Sequence, residues 1–343
     1  MCTSRDMGLV RARLKADTKA ANALLVDANW LAKSLGISSC YAEVDRAGLL
    51  PARDSLVVLH AEWANGKPPA SFIAGHIPGA LHFDTDWLEN GYPRWLLLDA
   101  PSLQQCFAAR GIGVDDTIVV YAETYDAACR LWWVLRYCGA QDVRVLAGGL
   151  QSWRAAGLPL ERVAADVECV HRSPARFDAR VCDQHLVRTA DVRGTLAQCD
   201  SQLVDVRSTN EFAGLLSGYD YLDRAGRIPG AVHASVEPLY DLLNCLDFAG
   251  IAAYWRERGV MPDRVDDEVA VPTRTNAQAG TPIFYCGSGW RSSVAVFCAA
   301  CLGLQARNYS DGWCGWSTRY VKDDAARGST PGWWQEPTDN PIE

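Results

Sequence analysis

Short apolar runs recur along the chain, separated by longer segments of mixed polarity. Four of these runs, Leu56-Val57-Val58-Leu59, Thr117-Ile118-Val119-Val120-Tyr121, Leu203-Val204-Asp205-Val206 and Pro282-Ile283-Phe284-Tyr285, are rich in β-branched and aromatic residues. Their length and composition predict buried strands. Longer apolar stretches over residues 103–111, 129–137, 251–259 and 293–302 predict helices, and two of them stop at a glycine. Strands alternating with helices at these lengths predict an α/β fold in which a mainly parallel sheet is flanked by helices. In such a sheet, ligands bind at the loops beyond the carboxyl ends of the strands.

The pattern occurs twice. Gly75-His76-Ile77-Pro78-Gly79-Ala80 returns as Gly226-Arg227-Ile228-Pro229-Gly230-Ala231, and each copy follows a strand candidate. Each half closes on a Gly-Trp cadence, Gly149 and Trp153 in the first, Gly312 and Trp316 in the second. Two domains are therefore expected, at about 22–160 and 183–326, with 161–182 as a polar linker and 327–343 as a C-terminal tail. The polar, turn-rich stretch 264–280 is expected to be a surface insertion.

A length of 343 residues suits two domains better than one core. The net charge of -8 and the lack of a basic run argue against nucleic acid, since phosphate binding needs clustered cations. No apolar stretch approaches the roughly 20 residues that span a bilayer. The first residues lack the apolar core of a secretory signal. Thirteen irregularly spaced cysteines in so long a chain point to a reducing, cytoplasmic setting and not to a disulfide framework. No Cys and His set has zinc-site spacing, so no metal is expected.

Aligning the halves sets Ala122 opposite Cys286. The first copy reads Tyr121-Ala122-Glu123-Thr124, the second Tyr285-Cys286-Gly287-Ser288-Gly289-Trp290-Arg291. Only the second has a nucleophile, two glycines and a cation. Two glycines allow positive φ and inward N–H groups, a following helix adds its positive end, and Arg291 adds a charge. All three favour the thiolate. The second copy is thus read as catalytic and the first as a structural partner. A cysteine phosphatase needs Arg six residues after Cys, and that place is Ser292. Cys298 and Cys301 form a Cys-x-x-Cys, read as helix packing. Trp132, Trp133, Trp333 and Trp334 are read as packing residues and Asp126 as a turn residue.

The loop Cys286 to Arg291, the duplicated Gly-x-Ile-Pro-Gly-Ala motif and Val204-Asp205-Val206-Arg207 resemble the tandem-domain rhodanese superfamily of thiosulfate and 3-mercaptopyruvate sulfurtransferases, from about Val26 to Trp316. The resemblance implies two rhodanese-like domains and an enzyme without cofactor. Its cysteine takes a sulfur as a persulfide and passes it to a thiol, cyanide or a thioredoxin-like reductant. Carried over residue by residue, Cys286 matches the catalytic cysteine and Gly287, Ser288, Gly289, Trp290 and Arg291 the persulfide cradle. Arg207 matches a ligand for an anionic donor. A second family arginine is replaced here by Glu211, which leaves Arg227 or Arg224 as substitutes. His76 is a candidate substrate contact. The neutral Gly287-Ser288 pair favours 3-mercaptopyruvate over thiosulfate. A non-catalytic sulfur-carrier or partner-binding module is the alternative.

Overall fold

A computed structural model describes residues 19–37, 56–91, 95–162, 173–198, 201–220, 222–261, 281–322 and 333–343. The stretch 264–280 and residues 1–18 lie outside them.

The first copy runs α1 (Lys19–Leu24), β1 (Leu25–Val26), α2 (Ala28–Ser34), β2 (Leu56–Glu62), α3 (Ala70–Ala74), β3 (Leu81–Asp84), α4 (Ala100–Ala109), β4 (Thr117–Tyr121), α5 (Tyr125–Tyr137), β5 (Asp142–Leu146) and α6 (Gly149–Ala155). The second runs β6 (Leu186–Val187), α7 (Thr189–Gln198), β7 (Gln202–Asp205), α8 (Thr209–Phe212), β8 (Val232–His233), α9 (Glu237–Asn244), α10 (Phe248–Glu257), β9 (Pro282–Tyr285), α11 (Trp290–Cys301), β10 (Arg307–Tyr309) and α12 (Gly312–Ser317). A hairpin of β11 (Thr318–Lys322) and β12 (Trp333–Pro337) follows.

Each copy builds one five-stranded sheet, in the orders β1-β5-β4-β2-β3 and β6-β10-β9-β7-β8. All pairings within the two sheets are parallel. This is the α/β, two-sheet architecture that the alternation predicts. The strand-loop-helix units after β4 and β9 occupy equivalent places.

The duplicated motif does the same work in each copy. Pro78 and Pro229 fix the turn, Gly79 and Gly230 take φ of 76° and 73°, and the Ile77 and Ile228 N–H groups donate to the hydroxyls of Tyr121 and Tyr285 at 3.2 and 3.3 Å. Only glycine enters that left-handed region without strain. The Gly-Trp cadence has a similar cause. Gly149 and Gly312, at φ of 53° and 52°, lie so close to the carbonyls of Ala122 and Cys286 that a Cβ would overlap them. Trp153 and Trp316 are buried in equivalent cores.

The largest core joins the two copies. Trp132 of α5 meets Phe297 of α11 edge to face, with centroids 4.9 Å apart. The helices behind the two loops therefore pack on each other, which brings first-copy residues to the second copy's loop.

Candidate active site

The loop Cys286–Gly289 connects β9 to α11. Its carbonyls are drawn back by fixed donors. Cys286 O accepts from Trp313 N at 2.7 Å and Gly287 O from Cys314 N at 3.0 Å. Gly289 O accepts from Ser293 Oγ at 2.6 Å, Asn308 Nδ2 at 3.3 Å and Arg130 Nη1 at 3.3 Å. In a trans peptide the C=O and the following N–H point opposite ways. Anchoring these carbonyls therefore turns the N–H groups of Gly287, Ser288 and Trp290 to the other face of the loop. Among the described residues, no hydrogen-bond partner is found for the N–H groups of residues 287–291. That leaves a ring of donors able to hold a compact anion.

The two loop glycines are needed for different reasons. Gly289 sits at φ 88°, and a Cβ on it would come within 2.6 Å of Arg130 Nη1 and 2.8 Å of Ser310 O. Gly287 does not have positive φ, contrary to the expectation of a double left-handed curl. It is small because the Tyr219 ring occupies the space where a Cβ would stand.

Cys286 is fully buried beneath this arrangement. Ser292 Oγ lies 3.7 Å from its sulfur and 2.8 Å from Asn308 Oδ1. Arg291 is clamped by both Glu211 oxygens at 2.7 Å and also donates to Tyr219 Oη at 3.1 Å. Glu211 additionally closes the capping box of α8 with Ser208. Burial pushes the Glu211 carboxyl upward, but the bonds from Arg291 and Ser208 outweigh it and hold the group below its usual range. The cation of the loop is thus balanced within a neutral pair.

The first copy completes the site. Arg130 of α5, fully buried, reaches Gly289 O and Ser310 Oγ, the latter at 3.0 Å. Its charge is met by Glu89 at 3.0 Å, and Glu89 also accepts from Trp290 Nε1 at 2.8 Å. Asp126 accepts from Tyr240 Oη of α9 at 2.7 Å. It lies in the first turn of α5 and lines a cavity, so the reading of Asp126 as a turn residue is corrected. That cavity, of about 730 Å³, is lined by Trp63, Asp86, Glu89, Trp95, Asp126, Tyr219, Asp220, Ser288 and Trp290. Ser288 and Trp290 bring the Cys286 loop to its wall.

The cavity does not gather the other candidates. Arg207 is fully buried and committed to Asp205, at 2.7 to 3.2 Å, and to Gly226 O at 2.8 Å. It stacks over Trp313 at 4.8 Å. Arg207 is read above as an anion ligand; its charge here faces Asp205 in an internal ion pair, and its Nη1 is buried without a hydrogen-bond partner among the described residues. Arg227 lies over Phe212 and pairs with Glu343 at 3.4 Å, while Arg224 donates to Ser317 O and Thr338 O. Both fasten the C-terminal segment. His76 bonds Phe72 O at 2.8 Å, stacks on Phe72 and lies 3.8 Å from Glu161. These are contacts within the turn and with Glu161. Cys298 and Cys301 are buried, and burial pushes both thiols up, away from thiolate. Trp132 and Trp133 are buried in the core; the side chains of Trp333 and Trp334 lie outside the described residues.

Sequence reasoning missed Glu89, Arg130, Tyr219, Tyr240 and Asn308. Arg130 left a signal, a cation near the start of the apolar segment Cys129–Tyr137. Such residues are almost never buried unless paired. The other four carried none, because they converge only through folding.

Among the described residues, no helix is long and apolar enough to cross a membrane, and no group of three His, Cys, Asp or Glu could hold a metal ion. All nine described cysteines are free thiols.

Comparison with known proteins gives a family. The Rhodanese-like domain matches residues 62–156 and 189–319. Thiosulfate sulfurtransferase YnjE of Escherichia coli is 32% identical over 275 residues, covering 76% of this chain and 57% of YnjE, so the chain spans little more than half of that relative. The 3-mercaptopyruvate sulfurtransferase of Escherichia coli is 27% identical over 253 residues, covering 72% of this chain and 82% of that one. Among solved structures, the anaerobic ergothioneine biosynthesis enzyme of Chlorobium limicola in complex with its natural substrate trimethyl histidine superposes with a TM-score of 0.69 at 29% identity, covering 87% of this chain and 68% of that one. With two parallel sheets, a duplicated motif and two matched regions, this chain belongs to the rhodanese-like domain family as a tandem member.

Proposed function

We propose that this chain moves sulfane sulfur from a small donor to an acceptor through a persulfide on Cys286. The observation that carries the reading is the loop itself, with its carbonyls anchored behind and its N–H groups free of partners among the described residues, beside the only described thiol at a strand-to-helix loop of either copy. The Cys286 thiolate attacks the outer sulfur of the donor. The bond behind that sulfur breaks, and its electron pair leaves as sulfite from thiosulfate or as the enolate of pyruvate from 3-mercaptopyruvate, which then takes up a proton. The acceptor attacks the outer sulfur of the persulfide and the thiolate returns, so one difficult transfer becomes two easier ones. Gly287, Ser288, Gly289, Trp290 and Arg291 form the cradle, and its N–H groups stabilise the persulfide anion. Cys286 is buried and the Tyr219 ring lies against the loop at Gly287, so donor access to the sulfur requires local movement around the loop.

3-Mercaptopyruvate is the favoured donor. The cavity wall carries Asp86, Asp126 and Asp220 and, among the described residues, no Lys or Arg. Each unit of negative charge brought to within roughly 10 Å of a carboxylate costs on the order of 1–2 kcal/mol at an effective dielectric near 20. Thiosulfate, a dianion, meets that repulsion twice, and 3-mercaptopyruvate once. Acceptors include thiols, cyanide and thioredoxin-like reductants. The aromatic wall also favours a second acceptor reading, a small molecule of the kind bound by the Chlorobium relative. The test is initial rates with both donors and cyanide as common acceptor. The expected outcome is at least tenfold higher kcat/KM for 3-mercaptopyruvate, about 1.4 kcal/mol of transition-state discrimination, and no turnover by Cys286→Ser. A tenfold preference for thiosulfate would overturn the donor assignment, and turnover by the variant would overturn the mechanism.

A further inference from the structure

We infer that the cavity beside the Cys286 loop recognises a positive charge, a quaternary ammonium or a protonated amine, on the molecule that receives the sulfur. This deepens the acceptor half of the proposed reaction and rests on that reading.

The charge balance of the wall is one-sided. Four carboxylates line it, those of Asp86, Glu89, Asp126 and Asp220, and among the described residues none that lines it is Lys or Arg. Two guanidinium groups beside the loop are already committed. Arg130 is matched to Glu89 at 3.0 Å and Arg291 to Glu211 at 2.7 Å. Subtracting these neutral pairs leaves Asp86, Asp126 and Asp220 facing the cavity without a cation of their own. Asp86 Oδ1 is buried with no hydrogen-bond partner among the described residues, although the same carboxylate accepts a bond from Trp63. A buried acceptor of that kind is costly unless something fills it. Burial raises the carboxyls of both Asp86 and Asp126, so an incoming cation would relieve a penalty that the free protein carries.

The aromatic groups fit the same ligand. Trp63, Trp95 and Trp290 stand among the carboxylates, and Trp63 is 53% exposed although it is a large apolar side chain. Trp95 holds φ at 47°, a conformation that a bulky side chain rarely adopts. Cations over indole faces gain electrostatic stabilisation from the ring quadrupole, most of all when partly desolvated, and tryptophans mixed with carboxylates are the surroundings that quaternary ammonium groups select. An anionic acceptor or a plain hydrocarbon would leave the carboxylates unmatched.

Choline and its uncharged isostere 3,3-dimethylbutan-1-ol separate charge from shape. Titrating each into the full chain, with quenching of tryptophan fluorescence as the readout, is expected to show choline binding at least tenfold more tightly. Asp86→Asn/Asp220→Asn, which keeps side-chain volume, is expected to reduce that ratio to below threefold. Equal binding of the two probes by the wild type, or an unchanged ratio in the double variant, would overturn the inference. Sulfur loading of Cys286 by 3-mercaptopyruvate, measured by intact mass on the same samples, keeps the readings apart. Loading without choline discrimination sinks only the cation site; discrimination without loading sinks the sulfur-transfer reading on which its acceptor role depends.

Discussion

His82 illustrates how a single buried side chain sets a property of the whole fold. Burial, its largest influence, together with the charge on His60, pushes it from 6.5 to about 4, against the opposing pull of Asp84 and Glu62. Its folded value lies below its unfolded value, so the unfolded chain binds the proton more readily between the two. The stability this group contributes is present in full above about pH 6.5 and is lost as pH falls toward about 4. Between pH 7 and pH 5 the wild type should lose about 2 kcal/mol more unfolding free energy than His82→Gln, read from urea midpoints at the two pH values. Parallel losses in both proteins would show that His82 does not carry the effect. At this scale the sequence was legible where chemistry is local. Cys286 stood out because the other copy has Ala122, and Gly289 because its position demands φ of 88°. For Arg207 the sequence leaves two readings, a ligand or an ion pair, and only the fold reveals that Asp205 takes its Nε and Nη2 edge.

Between elements, the decisive contact is α5 against the α11 loop. Arg130→Met keeps much of the side-chain volume, removes a donor to Gly289 O and leaves Glu89 buried without its cation. Breaking such a pair costs about 3–5 kcal/mol. The single variant is therefore expected to shift the urea midpoint strongly and to lower kcat at least tenfold. Adding Glu89→Gln should recover most of the stability, because the unpaired charge is gone. It should not recover kcat, because the Gly289 carbonyl still lacks one of its three donors and Ser310 Oγ its partner. Recovery of both would mean that Arg130 serves packing alone. The apolar periodicity disclosed α5 and α11 as helices, and the Cys129–Tyr137 run held Arg130 in plain view. What periodicity cannot convey is that the two helices face each other. Interdomain partners such as Trp290 with Glu89, 201 residues apart, come from a packing geometry that no local pattern encodes.

For the molecule as a whole, duplication followed by divergence explains why two similar sheets yield one site. The first copy keeps the scaffold, with Tyr121 and Gly149 matching Tyr285 and Gly312, but its loop passes directly from β4 at Tyr121 to α5 at Tyr125 without a glycine. Ala122→Cys should accordingly form no stable persulfide after donor treatment, as peptide mapping would report; a sulfur retained at position 122 would show that the loop's glycines and anchored carbonyls are dispensable. The repeat, the fold class and the reactive loop could all be read from the sequence. The acidic, aromatic cavity could not, because Trp63, Asp86, Asp126, Asp220 and Trp290 come from both copies and meet only in three dimensions. The central claim, that Cys286 alone carries the transferred sulfur, is tested most directly by intact mass spectrometry of wild type and Cys286→Ser after 3-mercaptopyruvate treatment and removal of excess donor. The account predicts one added sulfur atom on the wild type, mapping to the peptide that contains Cys286 and removable by cyanide, and none on the variant. A cyanide-labile sulfur on the variant, or one that maps to another cysteine of the wild type, would contradict it.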